Sequence, residues 1–320
     1  MQKIIAAAVL LLTGCAAQTG NAPAGPARQG GWSITPDGGL NAFFDCLEDR
    51  EIALVAAHRG GPAPGYPENA IETFDKTLRD LPALLEVDVA TSADGVLYLM
   101  HDDALDRTTT GEGSANALAW AAIRNLRLED ERGEATDFHP PSFEDALRWA
   151  KGRTILEVDF KKTTRFEDVI AEIDRQQAED RVILIAYTLA QAERLHRLAP
   201  DAMISLSVST QSELNRAVAA GVPADRLLGF TGVDDPKPRL FSILNNQDIE
   251  VIFGTLGWKN SIDAEIAASG DDSFYATLAG MGVDIIATDR PTKAQAALDA
   301  AGRSVKAGVC GVRQTEGDSP

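Results

Sequence analysis

Two short apolar segments each carry a glutamate and an aspartate two positions apart. They read LLEVDV at 84–89 and ILEVDF at 155–160, and their acidic pairs are Glu86 with Asp88 and Glu157 with Asp159. Side chains two positions apart on a β-strand point to the same face. Buried carboxylates on one face repel each other and lose hydration, so they need a bound cation or protons. Ligation by oxygen alone suits Mg²⁺ or Ca²⁺ rather than Zn²⁺.

Two of the four histidines stand at the ends of apolar segments, close to charged residues. His58 lies in AAHRGG and is followed by Arg59, and His101 is followed by Asp102. An imidazole gives up or takes a proton near neutral pH, which suits acid–base catalysis. Lys161 follows Asp159 on the same strand face and adds a positive charge. Inward carboxylates gathered with two histidines and a lysine favour a functional site over a purely structural role.

The remaining histidines and a late tryptophan are weaker candidates. His139 lies in FHPP and His196 in the helical pattern AERLHRLAP. We interpret both as structural or solvent-facing residues. Trp258, in GTLGWKN, is interpreted either as lining the mouth of the site or as a packing residue.

The pattern of apolar segments predicts the fold that must hold these groups. Eight segments are separated by helical or longer stretches, at 53–58, 84–89, 155–160, 182–187, 202–208, 226–231, 250–256 and 283–288. Amphipathic patterns predict helices at 69–80, 142–150, 165–179, 188–198 and 211–220. Near-continuous apolar strands alternating with helices are typical of a parallel sheet. Eight such units predict the α/β class and a TIM (β/α)₈ barrel, whose functional groups lie at the carboxyl ends of the strands.

A ninth apolar segment, 96–101, does not fit the parallel pattern. Only ATSADG separates it from the segment 84–89, which is too short for a parallel crossover. Asp94-Gly95 is a typical hairpin turn, so this segment is predicted to run antiparallel and to bring His101 near Asp88. The long stretch 102–141 is predicted to be an insertion on the rim with one short helix near 120–126.

Both chain ends carry signals of their own. Residues 1–14 have Lys3 followed by an apolar stretch too short to span a bilayer, as in an export signal. The sequence Leu-Thr-Gly-Cys at 12–15 resembles a bacterial lipobox with Cys15 as the acylated residue; an ordinary signal peptide with a stray cysteine is the alternative. We therefore expect an exported, membrane-anchored bacterial lipoprotein, on the periplasmic side of the outer membrane if the bacterium is Gram-negative. The expected organisation is a flexible tether at 15–33, a barrel domain at 34–309 and a tail at 310–320.

Composition limits the partners. The net charge of −18 over 320 residues disfavours nucleic acid and anionic lipid surfaces. An anionic substrate would then need a metal ion or a few placed basic residues. The two cysteines left beside Cys15 are Cys46 and Cys310, which either form a disulfide outside the cytoplasm or remain two unpaired thiols.

An ordered series of motifs resembles one known family. The series comprises HRG at 58–60, PEN at 67–69, the pair Glu86 and Asp88, DG at 94–95, HD at 101–102, the pattern L-x-RTT-x-G at 105–111 and GVDIIATDRP at 282–291. It resembles the glycerophosphodiester phosphodiesterases, which belong to the wider group of PLC-like TIM-barrel phosphodiesterases. The resemblance covers about residues 54 to 300 and implies hydrolysis of a glycerophosphodiester to glycerol 3-phosphate and an alcohol.

The resemblance also implies roles for individual residues. His58 and His101 would be the acid and base, in an order that the sequence leaves open. Arg59 and Lys161 would contact the phosphate, and Glu68, Asn69 and Asp102 would support the site. The family places its third metal carboxylate in an E-I-K pattern, and here two registers compete. Keeping the lysine makes Asp159 the ligand beside Glu86 and Asp88, whereas Glu157 remains an alternative or additional ligand.

Two other functions stay open at this point. A lysophospholipase D or a phosphoinositide-type phosphodiesterase would use the same site on another substrate. A phosphodiester-binding lipoprotein without turnover would belong to a different class of protein.

Overall fold

The computed structural model describes residues 30–257 and 259–315. Its strands are β1 Gly31–Ile34, β2 Leu54–Ala57, β3 Ala83–Thr91, β4 Leu97–Leu99, β5 Leu156–Phe160, β6 Val182–Ala186, β7 Met203–Ser207, β8 Leu227–Phe230, β9 Val251–Gly254, β10 Ile285–Thr288 and β11 Val312–Thr315. Its helices are α1 Leu40–Glu48, α2 Ile71–Asp80, α3 Trp120–Ile123, α4 Phe143–Ala150, α5 Phe166–Gln176, α6 Leu189–Leu198, α7 Gln211–Ala219, α8 Pro238–Asn245, α9 Ile262–Ser269, α10 Phe274–Gly280 and α11 Pro291–Ala301.

Eight of these strands close into a parallel barrel. The ring runs β2, β3, β5, β6, β7, β8, β9 and β10, and β10 pairs with β2 to close it. The predicted (β/α)₈ barrel is therefore confirmed. The five helices predicted from periodicity are observed as α2, α4, α5, α6 and α7, with ends shifted by no more than a turn.

The alternation of side chains along the strands divides the core in two. On β3, Leu84 points into the barrel interior, where it packs with residues such as Ile155 and Ile252. Leu85 and Val87 point outward into a second apolar layer between the strands and the helices. Because Glu86 and Asp88 follow Leu84 at two-residue steps, they share its inward face and come out at the carboxyl end of the barrel.

The predicted hairpin strand lies outside the ring. β4 pairs antiparallel with β3, with Val89 opposite Leu99, and the N–H of Met100 donates to the carbonyl of Asp88 at 3.0 Å. The turn uses Gly95 at φ 85°, in the left-handed region that favours glycine. This pairing brings His101, the next residue, to the Asp88 end of β3. The rim insertion contains the predicted short helix as α3, and it covers a small apolar cluster that includes Met100.

The two ends of the described chain meet on the far side of the barrel. β1 pairs antiparallel with β11, and a disulfide joins Cys46 on α1 to Cys310. Ordered structure therefore extends beyond the predicted domain 34–309, because part of the expected tether and part of the expected tail form this ribbon. The predicted signal peptide, Cys15 and Trp258 lie outside the described residues. Among the described helices, none has the length and hydropathy that crossing a bilayer requires.

Candidate active site

Three inward carboxylates form a compact acidic triad. β3 and β5 run parallel in register, so Glu86 lies opposite Glu157 and Asp88 lies opposite Asp159. Oxygens of Glu86, Asp88 and Asp159 all lie within 4.8 Å of one another, and the three residues are 8%, 1% and 6% exposed. This grouping matches the predicted ligand set in the register that uses Asp159.

Glu157 lies one layer deeper in the barrel, outside the triad. It is buried beside the side chain of Ser205. Burial, together with the charge of Asp159, raises the pKa of Glu157 to about 7, against the opposing effect of the nearby Ser205 hydroxyl. Glu157 therefore readily holds a proton near neutral pH, which a cation ligand must give up.

Positive charge surrounds the triad. Lys161 Nζ lies 2.9 Å from Asp88 Oδ1 and 2.9 Å from Asp159 Oδ2. Burial opposes ionisation of Asp88, but the charges of Lys161, His101 and Arg59 outweigh it and lower the pKa of Asp88. Burial, with the negative charges of Asp88 and Asp159, instead raises the pKa of Glu86. Lys161, predicted to contact phosphate, thus also bridges two carboxylates of the triad.

The triad fits a hard divalent cation. It presents only carboxylate oxygens, which Mg²⁺ and Ca²⁺ prefer. Asp159 Oδ1 is buried and has no hydrogen-bond partner among the described residues. A buried anionic oxygen without a partner is costly, so a cation at this position would satisfy it. The raised pKa of Glu86 also indicates a lack of compensating positive charge, because three buried carboxylates close together cannot all remain ionised without one.

His58 is held at the edge of the triad by a residue from the far end of the chain. It follows β2, and its Nδ1–H donates to Asp289 Oδ1 at 2.6 Å, which leaves Nε2 at 4.0 Å from Glu86 Oε2. Asp289 follows β10, the strand that closes the barrel against β2. Burial opposes ionisation of Asp289, but the hydrogen bond and charge of His58, the N–H of Gly257 and the charge of Arg59 together outweigh it and lower the pKa of Asp289. The pairing with Asp289 was not predicted.

The backbone after His58 turns sharply and binds the triad directly. Arg59 has φ 50°, and its N–H donates to Glu86 Oε2 at 2.8 Å. At Gly60, φ is 81° and a Cβ would lie 2.2 Å from the ring of Phe74, so only glycine fits. The HRG motif is therefore a shaped turn as well as a source of side chains.

His101 is fixed in the same manner by its neighbour. Its Nδ1–H donates to Asp102 Oδ1 at 2.6 Å. Arg107 donates to the same carboxylate through Nε at 2.6 Å and Nη2 at 2.9 Å. The hydrogen bonds from Arg107, together with that from His101, strongly lower the pKa of Asp102 against the effect of burial. Asp102 therefore remains ionised and orients the imidazole.

Glu68 and Asn69, which the sequence analysis expects to support the site, both bind residues of the site. Arg107, which was not predicted, connects Glu68 to Asp102. Glu68 Oε2 accepts from Arg59 Nη1 at 2.9 Å and from Arg107 Nη1 at 2.9 Å. Asn69 Nδ2 donates to Asp88 Oδ2 at 2.7 Å, and its Oδ1 accepts the N–H of Asp88 at 3.0 Å. Glu68 thus couples Arg59 to the His101 side of the site. Arg107 lies in the RTT motif, which was the available signal.

A cavity of about 680 Å³ adjoins the His58 side of the site. It is lined by His58, Arg59, Arg107 and Asp289 together with residues of the rim insertion and of α9. Arg59 Nε, buried beside this cavity, has no hydrogen-bond partner among the described residues and lies 3.7 Å from Asp88 Oδ2. His139 Nδ1–H donates to the backbone carbonyl oxygen of Leu126 at 2.6 Å, and the residue remains exposed on the rim.

The closed barrel and the ionisable groups at its carboxyl-terminal rim define a TIM-barrel enzyme. A model of the glycerophosphoryl diester phosphodiesterase family matches residues 58–293. The chain belongs to this family of phosphodiester-hydrolysing enzymes.

Individual relatives agree with this assignment. A glycerophosphoryl diester phosphodiesterase structure from Parabacteroides distasonis is 30% identical, with a TM-score of 0.77 over 85% of this chain and 95% of that one. A glycerophosphodiester phosphodiesterase of Caldanaerobacter subterraneus is 28% identical over 160 residues, which span 48% of this chain and 65% of that enzyme. An Oleispira antarctica phosphodiesterase, solved with the product sn-glycerol-3-phosphate, shares the fold at 20% identity, with a TM-score of 0.62 over 79% of this chain and 99% of that one.

Proposed function

We propose that this enzyme hydrolyses glycerophosphodiesters to glycerol 3-phosphate and an alcohol, using one divalent cation, Mg²⁺ or Ca²⁺. The observation that carries the proposal is a buried acidic triad flanked by two histidines, each with Nδ1 bound to a carboxylate. Membership of the family and the product bound in the Oleispira antarctica relative support the substrate class.

Glu86, Asp88 and Asp159 would hold the cation. When bound, it supplies positive charge that neutralises a phosphodiester and stabilises the charge that develops on the phosphoryl oxygens. Arg59 and Lys161 contribute fixed positive charge beside it, and the free Nε–H of Arg59 can donate to a phosphate oxygen.

The two histidines move the protons. With Nδ1–H fixed on Asp289 or Asp102, Nε2 of each neutral imidazole is the atom available for catalysis. One Nε2 accepts a proton from the glycerol 2-hydroxyl or from a water as its oxygen bonds to phosphorus. The bond from phosphorus to the leaving oxygen breaks, and the other imidazole, in its protonated form, gives that oxygen a proton. A cyclic phosphate formed by the 2-hydroxyl is opened by water with the two roles exchanged.

Product analysis with histidine variants tests this function. Wild-type protein with Mg²⁺ or Ca²⁺ is expected to convert glycerophosphocholine to glycerol 3-phosphate, and ³¹P NMR monitors the conversion. His58→Ala and His101→Ala are each expected to lose at least about a hundredfold in kcat. His139→Ala, an exposed histidine on the rim, is the matched control and should retain full activity. Both variants retaining wild-type rates, or an absence of glycerol 3-phosphate with every glycerophosphodiester tried, would contradict the proposal.

We also propose that the enzyme is anchored to a membrane through an acylated Cys15, on the periplasmic side of the outer membrane in a Gram-negative host. The support is the sequence alone, where Leu-Thr-Gly-Cys ends a short apolar stretch. Metabolic labelling with palmitate should mark the wild-type protein. The labelled protein should be recovered in the membrane fraction. Cys15→Ser should abolish the label and the membrane association; labelling that persists in Cys15→Ser would exclude this anchor.

A further inference from the structure

A buried carboxylate, that of Asp263, lies on the first turn of α9 and is not one of the groups assigned to the proposed reaction. Asp263 is 3% exposed and takes part in no ion pair among the described residues. Its oxygens accept from the hydroxyl of Tyr275 at 2.6 Å, from the hydroxyl of Thr288 at 2.8 and 2.9 Å, and from the N–H of Asp289 at 2.7 Å. Such a group loses its hydration on burial, so only a full set of donors makes it tolerable.

These bonds converge on the residues that end β10. Thr288 is the last residue of β10, and its hydroxyl also accepts the N–H of Arg290 at 2.9 Å. Asp263 therefore holds the backbone of Asp289 directly and the flanking turn through Thr288. The N–H of Asp263 donates to the carbonyl of Thr255, beyond the end of β9, at 2.9 Å. The carboxylate is thus anchored to the neighbouring strand rather than to α9 alone.

The side chain of Asp289 is fixed from the opposite direction. Its Oδ2 accepts the N–H of Gly257 at 2.9 Å, and its Oδ1 accepts from His58 at 2.6 Å. Only its backbone remains to be positioned, and Asp263 does that. A continuous series of hydrogen bonds therefore runs from the α9 carboxylate through Asp289 to the imidazole of His58.

We propose that Asp263 is a positioning residue for the catalytic imidazole of His58, acting through Asp289. This inference rests on the proposed function, because it assigns Asp263 a part in that reaction. A shift of about 1 Å in a catalytic group can cost on the order of a hundredfold in rate. Among the described residues, Asp263 makes no hydrogen bond or ion pair with the acidic triad, so losing it should lower kcat and leave the KM for substrate and the cation requirement unchanged.

Asparagine at position 263 is the informative substitution. It keeps the size of the side chain but replaces one acceptor oxygen by an NH₂ group, which cannot accept from the donors that face it. Asp263→Asn is expected to lower kcat about tenfold or more. Tyr275→Phe is the matched control, since it removes a buried hydrogen bond to the same carboxylate without touching Asp289. It should cost about 1 kcal/mol of stability and leave kcat within about twofold.

A double-mutant cycle separates positioning from general destabilisation. If Asp263 acts through Asp289, Asp263→Asn should change kcat by less than about twofold once Asp289→Asn is present, because the group it positions is already lost. A folded Asp263→Asn variant with wild-type kcat, or a kcat loss that multiplies fully with that of Asp289→Asn, would overturn the inference. If Asp263→Asn does not fold, the same cycle with Thr288→Val decides by the same criteria.

A second readout does not depend on turnover. A proton shared in a short hydrogen bond between His58 and Asp289 should give a downfield imidazole N–H signal in ¹H NMR, assignable through its loss in His58→Ala. That signal should weaken or shift in Asp263→Asn and persist in Tyr275→Phe. An unchanged signal in Asp263→Asn would count against the inference even if the enzyme had another substrate, whereas failure of the wild type to release glycerol 3-phosphate would instead contradict the proposed function.

Discussion

Nδ1 of His58 and Oδ1 of Asp289 lie 2.6 Å apart, although 231 positions separate the two residues in the chain. The contact exists because β10 pairs with β2 and closes the barrel, which brings the first and last barrel strands side by side. Closure of the barrel therefore completes the site as well as the sheet. It provides His58 with the carboxylate that His101 obtains from its direct neighbour, Asp102.

Asp289→Asn should therefore reduce kcat by roughly a hundredfold with little change in KM. A carboxylate bound to an imidazole N–H fixes the tautomer and the orientation of the ring. The amide keeps the shape of the side chain but lets His58 adopt the wrong tautomer. Steady-state kinetics on glycerophosphocholine measure the effect. A loss that appears only in KM would show that Asp289 serves binding rather than the imidazole.

Neutralising the two acidic residues of β5 should have unequal effects on the cation requirement. Asp159→Asn removes a charge from the triad and is expected to raise the cation concentration for half-maximal activity by about tenfold or more. Glu157→Gln resembles the protonated state that a pKa of about 7 favours, so it should leave that concentration within about threefold. Cation titrations of both variants decide the register, and the reverse pattern would make Glu157 the ligand.

An activated leaving group should distinguish the two histidines. p-Nitrophenolate leaves as a stable anion and needs no proton, so the general acid becomes dispensable with a p-nitrophenyl ester of glycerol phosphate. One of the variants His58→Ala and His101→Ala should then recover at least about tenfold of its loss, while the other stays impaired. Recovery of both or of neither would contradict a division of roles into one acid and one base.

Stability should fall as the pH rises, because of carboxyl groups on the far side of the barrel. Burial, with a smaller contribution from neighbouring acids, raises the pKa of Glu250 to about 8 and that of Asp284 to about 7. Both groups ionise near pH 4 in the unfolded chain, so between about pH 4 and 8 the folded state binds more protons. Their stabilising contribution is complete below about pH 4 and is lost as the pH rises to about 8.

Glu250→Gln checks this sign, because glutamine stays neutral at every pH. Urea unfolding should show the variant gaining up to about 4 kcal/mol over wild type on going from pH 5 to pH 8.5. The buried Oε1 of Glu250 has no hydrogen-bond partner among the described residues, which makes the ionised form costly. A difference between variant and wild type that does not change with pH would contradict a raised pKa at this residue.

Local patterns in the sequence predict much of the barrel and of the acidic triad. The two-residue spacing of Glu86 and Asp88 places them on one face, and the Asp94-Gly95 turn returns His101 toward Asp88. Lys161 selects the register that brings Asp159 into the triad. These inferences succeed because each depends on one strand or on one short turn.

The missed features depend on long-range geometry. The pairing of Asp289 with His58 requires the exact closure of the ring, and Arg107 reaches Glu68 and Asp102 only through the path of the rim insertion. The ribbon of β1 and β11 joins two four-residue segments from opposite ends of the chain, neither of which has a long apolar run. Side-chain pairs of this kind follow from tertiary contacts and have no periodic signal.

The most direct test is whether a cation at the acidic triad is required for hydrolysis. Release of glycerol 3-phosphate from glycerophosphocholine should be measured on wild-type protein as purified, after treatment with EDTA, and after return of Mg²⁺ or Ca²⁺. We expect EDTA to abolish release, one of the two cations to restore it, and Asp159→Asn to need a much higher concentration of that cation. Release at an undiminished rate after complete removal of metal would contradict the central claim.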